Sequence, residues 1–282
     1  MEELKLEAFA KINLSLDVIG KKSNGYHEVR MIMQQVDLKD NIYIKERDEG
    51  IKIECTNPKV PTDSSNLVYK AYDIIKRKFN INKGVEIKIE KNIPMAAGLA
   101  GGSSDCAQVL IGLNKLWNLG LSEKELMEIG VKIGADVPYC IMGGTALAEG
   151  IGEKLTKIKG LKEGHILLAK PNIDVSTAYV YKNLEISEIK KHPDIDKIIK
   201  DIEKDIYSLS KDMVNVLETV TIKKHPEIKK IKEEMIFNGA LGSLMSGSGP
   251  TVFGIFDDID KAKECKKNIE KWIDDVYLTE AI

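Results

Sequence analysis

The sequence predicts an α+β protein of two domains, and three observations lead to that prediction. The first half begins with several short β-like runs and continues as a helix, a strand and further helices. The second half follows a split β-α-β pattern with insertions. A lysine-rich stretch at residues 154–162 lies between the two halves. We therefore expect an N-terminal domain over residues 1–160 and a C-terminal domain over residues 161–282.

Hydrophobic spacing predicts the first elements of the N-terminal half. Short strands are expected near residues 5–9, 12–19, 30–36, 41–45 and 51–54. Residues 66–79 are predicted to be helical because their apolar side chains recur at helical spacing. Residues 85–89 are predicted to form a half-buried strand because apolar and charged side chains alternate there.

Three further segments complete this half. A second helix is expected to begin near residues 103–105, where serine and aspartate suit a helix N-terminus. Ser122 and Glu125 have the spacing of a capping box that opens a third helix. Asp136 follows that helix and stands shortly before Pro138, so we expect it in an extended stretch of chain.

The C-terminal half carries the split β-α-β pattern. Its predicted elements are a strand at 166–169, helices between 176 and 237, strands at 242–246 and 252–256, a helix at 259–272 and a strand at 276–279. No repeat of fixed period interrupts this order.

Composition excludes several classes of protein. With 282 residues and 43% hydrophobic residues, the chain can bury a sizeable core, so intrinsic disorder is excluded as its main state. The 42 lysines and arginines nearly cancel 44 acids, so no basic field favours nucleic acid. Four cysteines without a C-x-x-C pair argue against a zinc site or a disulfide framework. Without a signal-like N-terminus or an unbroken apolar span, we expect a cytoplasmic protein.

Two loops rich in glycine and serine are the strongest candidates for ligand binding. Pro94–Asp105 reads PMAAGLAGGSSD and fits neither a Walker loop nor G-x-G-x-x-G. Its glycines, serines and following helix N-terminus nevertheless suit an anion such as phosphate, although close packing explains glycines equally well. Ser246–Thr251 reads SGSGPT and is also typical of a hairpin turn. Two such loops together favour a ligand lying between them.

Three single residues have both a chemical and an ordinary interpretation. Strand alternation places Lys11 on the same side as Phe9 and Asn13, yet a lysine there is also typical of a strand edge. Asp136 is equally consistent with a turn cap, and His27 with an ordinary loop histidine.

Taken together, four ordered motifs resemble the GHMP superfamily of small-molecule kinases, which includes galactokinase, homoserine kinase, mevalonate kinase and phosphomevalonate kinase. The motifs are AKINLSLDVIGKKSNGYHE, PMAAGLAGGSSD, GADVPYCIMGGTALAEGIGE and SGSGPTVFGIF, and they extend over essentially the whole chain. The resemblance implies a two-domain GHMP kinase fold with an N-terminal ATP-binding domain and a C-terminal ferredoxin-like domain on the substrate side.

The resemblance also implies ATP and Mg²⁺ as cofactors, with no protein ligand assigned to the metal. In this superfamily the first glycine loop wraps the ATP phosphates. The implied ATP-site residues are Pro94, Met95, Ala96, Ala97, Gly98, Leu99, Ala100, Gly101, Gly102, Ser103 and Ser104, with Asn66 and Lys91 near the adenosine. Ala100 stands where the commoner superfamily loop has glycine, and the Gly-Gly-Ser-Ser sequence after it is retained.

Asp136 matches the catalytic aspartate of the superfamily and Lys11 its partner lysine. A carboxylate can accept the proton of an attacking hydroxyl, and an ammonium offsets charge on the phosphoryl oxygens. Tyr26 and His27 match residues that hold a cytidine, and Tyr181 matches a second stacking aromatic. The implied substrate-binding residues are Asn13, Tyr26, His27, Thr177, Tyr181, Gly247, Ser248 and Gly249.

The implied reaction transfers the γ-phosphoryl of ATP to the 2-hydroxyl of 4-diphosphocytidyl-2-C-methyl-D-erythritol, on the methylerythritol phosphate route to isoprenoid precursors. Base stacking is worth about 1–3 kcal/mol, which favours this substrate over the base-free substrates of homoserine or mevalonate kinases. A catalytically silent nucleotide-binding module is the other alternative, and the presence of Lys11 and Asp136 argues against it. We expect this small molecule as the partner, no nucleic acid or membrane, and a monomer or weak homodimer.

Overall fold

The computed structural model describes residues 3–23, 25–161 and 163–282. The strands are β1 (Glu3–Lys21), β2 (His27–Arg47), β3 (Ile51–Cys55), β4 (Gly84–Glu90), β5 (Thr145–Gly150), β6 (Lys154–Ile158), β7 (His165–Lys170), β8 (Gly242–Met245), β9 (Val252–Phe256) and β10 (Asp275–Glu280). The helices are α1 (Leu67–Phe79), α2 (Gly101–Leu116), α3 (Glu123–Gly130), α4 (Val137–Met142), α5 (Thr177–Lys182), α6 (Ile195–Lys204), α7 (Ile206–Asp212), α8 (Glu218–Lys224), α9 (Glu227–Phe237) and α10 (Ile259–Ile269). A single 3₁₀ turn, Ile186–Glu188, is described between α5 and α6. The predicted α+β class is confirmed.

The described chain forms two compact units that are not continuous in sequence. Unit 1 comprises the described residues within 1–10, 38–95 and 100–143, and unit 2 comprises those within 11–37, 96–99 and 144–282. The strands β1 and β2 contribute residues to both units. Each of them replaces two shorter predicted strands, because neither glycine nor proline interrupts residues 3–19 or 27–47.

Unit 1 combines strand pairing with four packed helices. Residues 41–47 of β2 pair antiparallel with β4, and β3 pairs parallel with β4. Helix α2 packs against α1, α3 and α4. The side chain of Asn66 caps α1 by accepting a hydrogen bond from the backbone N–H of Val68 at 2.9 Å. The predicted capping box of Ser122 and Glu125 opens α3 and is confirmed.

The two helices that carry the candidate residues of unit 1 begin differently from the prediction. Helix α2 begins at Gly101, earlier than expected, and its N-cap Ala100 is left-handed with φ 57°. The expected extended conformation of Asp136 is wrong: with φ −84° and ψ −11°, this residue is the N-cap of α4. Pro138 then lies in the first turn of α4, where its missing N–H removes no intrahelical bond.

Unit 2 contains an antiparallel sheet with the strand order β10-β7-β9-β8. Helices α9 and α10 pack against it, and Phe253 and Phe256 are fully buried. The predicted split β-α-β pattern is therefore confirmed. Residues 29–34 of β2 pair with β5, which pairs in turn with β6. Among the residues described, no helix has the length and apolar character needed to cross a membrane.

Candidate active site

Lys11 lies on a buried polar row of β1 in unit 2. The row consists of every second residue, Lys11, Asn13, Ser15 and Asp17, and each is at most 5% exposed. The ammonium of Lys11 donates a hydrogen bond to Asn13 Oδ1 at 2.8 Å, and Asn13 Nδ2 lies 3.3 Å from the sulfur of Met31. Burial and a fixed partner hold the charge of Lys11 in one place, whereas an edge lysine would extend into solvent.

The two glycine loops contact each other within unit 2. The hydroxyl of Ser246 donates to the carbonyl oxygen of Gly98 at 3.0 Å, and the N–H of Thr251 donates to that of Ala97 at 3.4 Å. Gly98 has φ +73°, and a Cβ there would collide with the carbonyl oxygen of Ser246 and lie 3.1 Å from that of Gly249. Position 98 therefore requires glycine both for its backbone conformation and for space.

The second loop lies beside the lysine. A Cβ on Gly247 would stand 3.5 Å from Asn13 Oδ1 and 3.6 Å from Lys11 Nζ. Behind the loop, Asn215 donates to the carbonyl oxygens of Met245 and Gly247, each at 2.7 Å. Asn215 was not predicted from the sequence, since a lone asparagine between helices carries no distinctive pattern. Its amide fixes the backbone that brings Gly247 close to Lys11.

Thr177 and Ser248 come together although they are 71 residues apart in sequence. Their hydroxyl oxygens are 2.8 Å apart, with either able to donate. The carbonyl oxygen of Ser248 also accepts a hydrogen bond from Thr221 at 3.2 Å, and Gly249 follows with φ +90°. The structure thus links the start of α5 to the second glycine loop.

Two of the aromatic residues predicted to hold a base are in contact. The ring centroids of His27 and Tyr181 are 5.2 Å apart and their planes are inclined by 38°. Tyr26 is 59% exposed, so it presents most of its ring to solvent. Partial burial, assisted by the charge of Lys21, lowers the pKa of His27 below its ordinary value of 6.5. The imidazole is therefore neutral at pH 7 and can both donate and accept a hydrogen bond.

In unit 1, the first turn of α2 presents backbone N–H groups that have no partner within the helix. Gly102 is exposed, and a Cβ there would meet nothing within 4 Å. Ser103 is half-buried, while the buried hydroxyl of Ser104 donates to the carbonyl oxygen of Phe9 at 2.7 Å. Asp136 is half-buried at the start of α4. The helix end and the open space at Gly102 form an anion-binding geometry.

The other residues predicted for the ATP site differ in how far their side chains are engaged. Pro94 and Met95 are half-buried, and Ala96 is exposed with φ +50°. The Asn66 amide donates to the carbonyl oxygen of Pro61 at 2.6 Å while its oxygen caps α1. Both ends of that amide are engaged locally, and its contact with adenosine stays a prediction.

Lys91 belongs to a buried ion cluster that the sequence did not predict. Its ammonium side chain is 5% exposed, binds Asp40, and lies 3.1 Å from Asp105 Oδ2. The other oxygen of Asp40 accepts the N–H groups of Asn92 at 2.6 Å and Ile93 at 2.8 Å. The sequence does not indicate the pairing, because Asp40 lies within β2 in no motif, and Asp105 is the last residue of the glycine loop segment, far from Asp40 in sequence. The ammonium is committed to this cluster, and any contact of Lys91 with adenosine stays a prediction.

Charge in this cluster is unbalanced, since two carboxyl groups surround one ammonium. Burial raises the pKa of Asp105 to about 8, with Lys91 opposing the rise and Asp40 adding to it. Burial by itself acts to lower the pKa of Lys91, but Asp105 and Asp40 raise it further than burial lowers it. The second oxygen of Asp105 is buried without a hydrogen-bond partner among the described residues. A proton on Asp105 therefore removes a buried negative charge that one ammonium, shared with Asp40, does not balance.

Comparison with known families identifies both halves of the chain. Residues 66–144 match the GHMP kinases N terminal domain and residues 195–275 match the GHMP kinases C terminal domain. The chain is 54% identical to 4-diphosphocytidyl-2-C-methyl-D-erythritol kinase of Acetivibrio thermocellus over all of both chains. It is 55% identical to the Clostridioides difficile enzyme of that name, over 99% of this chain and 95% of the relative.

Solved structures agree with this relationship. A crystal structure of 4-(cytidine 5'-diphospho)-2C-methyl-D-erythritol kinase matches with a TM-score of 0.85 and 29% identity over 99% of each chain. Homoserine kinase from Cytophaga hutchinsonii matches with a TM-score of 0.80 and 20% identity over 100% of this chain and 95% of the other, which shows the shared fold. This chain belongs to the 4-diphosphocytidyl-2-C-methyl-D-erythritol kinase family of GHMP kinases.

Proposed function

We propose that this chain is the ATP-dependent kinase that phosphorylates the 2-hydroxyl of 4-diphosphocytidyl-2-C-methyl-D-erythritol, giving the 2-phosphate and ADP. Family membership over the full chain carries the proposal. It favours this reaction, a step of the methylerythritol phosphate pathway of isoprenoid biosynthesis, over homoserine or mevalonate phosphorylation and over a silent nucleotide-binding module.

The proposed chemistry assigns Asp136 as the general base. Its carboxylate accepts the proton of the 2-hydroxyl as that oxygen bonds to the γ-phosphorus and the bond to the leaving ADP oxygen breaks. The ammonium of Lys11 offsets the negative charge that builds on the phosphoryl oxygens. The burial of Lys11 supports this role, because a fixed charge of low exposure acts more strongly than a solvated one.

The proposed ATP site uses the backbone more than side chains. The N–H groups of the first turn of α2 and the open space beside Gly102 suit the phosphates. Mg²⁺ is part of the proposal, and when bound with ATP it would neutralise charge on the phosphate oxygens. Within the described part of the chain, no group of three or more His, Cys, Asp or Glu side chains is arranged to hold a metal, so we assign no protein ligand.

The proposed cytidine site consists of His27, Tyr181 and Tyr26, with Thr177 and Asn13 as polar contacts to the remainder of the substrate. The 5.2 Å ring contact of His27 with Tyr181 supports it, because the pair provides an aromatic face beside a polar ring edge. The loop at Gly247–Gly249 supports it as well, since it approaches both Lys11 and Thr177.

The wider proposal concerns the organisation and setting of the protein. We assign the ATP-binding domain to residues 1–160 and the substrate-side domain to residues 161–282. We also propose that the protein acts in the cytoplasm, as a monomer or weak homodimer.

ADP release by the purified protein tests the reaction. The assay contains ATP and Mg²⁺ and compares 4-diphosphocytidyl-2-C-methyl-D-erythritol with homoserine, mevalonate and the uncytidylated methylerythritol phosphate. We expect turnover with the first compound alone. Turnover with homoserine or mevalonate would contradict the cytidine site, and ATP binding without turnover of any compound would contradict kinase activity.

A further inference from the structure

Residues 183–194 connect α5, which carries Tyr181, to α6. Only the short 3₁₀ turn Ile186–Glu188 is regular within this connection. We call residues 183–194, together with the first turn of α6, the strap. A connection of this length with so little internal hydrogen bonding depends on contacts with other parts of the protein for its position.

The first such contact joins the strap to the polar row of β1. The ring nitrogen Nδ1 of His192 lies 2.7 Å from Asp17 Oδ1. The carboxylate of Asp17 is 8% exposed and also accepts the backbone N–H of Val18 at 2.8 Å, whereas His192 is 45% exposed. A buried, fixed carboxylate thus holds an imidazole that is otherwise on the surface.

The second contact joins the end of the strap to β2. Arg30 forms two hydrogen bonds with the carboxylate of Asp196, at 3.0 and 2.7 Å, and its Nε lies 3.0 Å from Glu149. The hydrogen bond from Arg30 lowers the pKa of Asp196, so this carboxylate stays charged. A bidentate pair fixes direction as well as distance, which a lysine pair does not.

Both contacts join the same segments as the ring pair. Asp17 lies on β1, Arg30 lies three residues after His27 on β2, and His192 and Asp196 follow Tyr181 in the chain. The 5.2 Å contact of His27 with Tyr181 therefore joins the same two stretches of unit 2 that the two polar contacts join. If these two contacts were lost, the chain that follows Tyr181 would lose one attachment to β1 and one to β2.

We infer that His192 and Asp196 are positioning residues that hold Tyr181 against His27 and so set the affinity of the site for the cytidine end of the substrate. The inference rests on the proposed function. It extends the recognition of the base beyond the aromatic rings to two polar contacts on the surface, neither of which touches the phosphates of ATP in the proposed mechanism.

The test changes only the exposed members of the two contacts, so that the buried carboxylate of Asp17 stays in place. The variants are His192→Ala, Asp196→Asn and the double variant, and Asp196→Glu serves as the conservative replacement. Glu203→Gln is the matched control, because Glu203 also lies on α6 and loses an exposed ion pair, that with Lys159 at 3.1 Å. Steady-state kinetics with both substrates and calorimetric binding of cytidine 5′-diphosphate are measured for each protein.

For the double variant we expect the KM for the cytidyl substrate to rise by about three- to tenfold, with the affinity for cytidine 5′-diphosphate falling in parallel. The kcat and the KM for ATP should stay within about twofold, and Asp196→Glu and Glu203→Gln should resemble the wild type. Unchanged constants in the double variant would overturn the inference. A joint fall of kcat, both affinities and thermal stability would also overturn it, because that pattern indicates a purely structural role.

Calorimetry separates the failure of this inference from the failure of the proposed function. If the wild type binds cytidine 5′-diphosphate but phosphorylates none of the candidate substrates, the reaction is wrong, and weaker binding by the double variant still supports the positioning role. If the wild type does not bind cytidine 5′-diphosphate at all, the positioning role is wrong together with the cytidine site.

Discussion

The buried carboxyl of Asp105 makes a specific prediction about the dependence of stability on pH. Its pKa is about 8 in the folded protein, against an ordinary value of 3.8, because burial and the nearby Asp40 disfavour its charge. Between these values the folded state binds one proton more than the unfolded state. Stability is therefore fully present below the unfolded pKa and is lost as the pH rises towards the folded pKa, by up to about 1.4 kcal/mol per pH unit.

The Asp105→Asn variant removes this titration while keeping the shape of the side chain and an oxygen that can accept the hydrogen bond from Lys91. Urea unfolding of both proteins at about pH 5, 6, 7 and 9 gives the free energy of unfolding at each pH. We expect the wild type to lose stability relative to Asp105→Asn between about pH 5 and 8, and the difference to level off above that range. Groups outside the cluster of Asp105, Asp40 and Lys91 titrate alike in both proteins and cancel, so the difference reports the proton binding of the cluster.

Asp48→Asn is the control for the change in net charge, because Asp48 is exposed in the turn between β2 and β3. Parallel stability curves for the wild type and Asp105→Asn would refute the reasoning, since they would show that Asp105 binds its proton alike in the folded and unfolded states. Parallel curves are also the result expected if Lys91 held Asp105 charged in the folded protein, because a lowered pKa changes stability only below about pH 4.

Three other predictions concern the candidate site. Gly98→Ala should lower the free energy of unfolding by about 2 kcal/mol or more, because φ is +73° and the methyl group meets the backbone of Ser246. Gly102→Ala should leave the free energy of unfolding within about 1 kcal/mol and raise the KM for ATP, because the methyl group fills the open space there. Equal effects of the two substitutions in urea unfolding would contradict this. Asp136→Asn should retain the binding of both substrates and lose about 10²–10⁴-fold in kcat, and wild-type turnover would remove Asp136 from the mechanism. In an NMR titration, His27 should have a midpoint below 6.5, and a midpoint above that value would contradict its partial burial beside Lys21.

The sequence was sufficient for the parts of the fold that depend on periodicity and capping. The capping box of Ser122 and the split β-α-β order both follow from local patterns, and the structure confirms them. The two glycine loops contact each other, and the ligand expected between them stays a prediction. The capping box and the order of elements were predictable because residue type and spacing along the chain indicate them.

The remaining features depend on contacts between residues that are distant in sequence. The pairing of Lys91 with Asp40 spans 51 residues, and that of His192 with Asp17 spans 175 residues, so no local pattern indicates either. The conformation of Asp136 was wrongly predicted for a different reason. The proline two residues later favours an extended chain before it, but the first turn of a helix also accepts proline.

The discontinuous course of the chain through the two units has a consequence for biosynthesis. Residues 11–37 are synthesised before residues 214–282, yet Leu16 forms backbone hydrogen bonds with Val214 and Val216, and Gln34 and Gln35 bond to Ile282. The strand β1, which carries Lys11, therefore cannot complete its hydrogen bonds until residues 214–216 have been synthesised. During that interval the apolar side chains of β1 are exposed to solvent and available to chaperones. We expect the nascent chain to be most prone to aggregation at this stage.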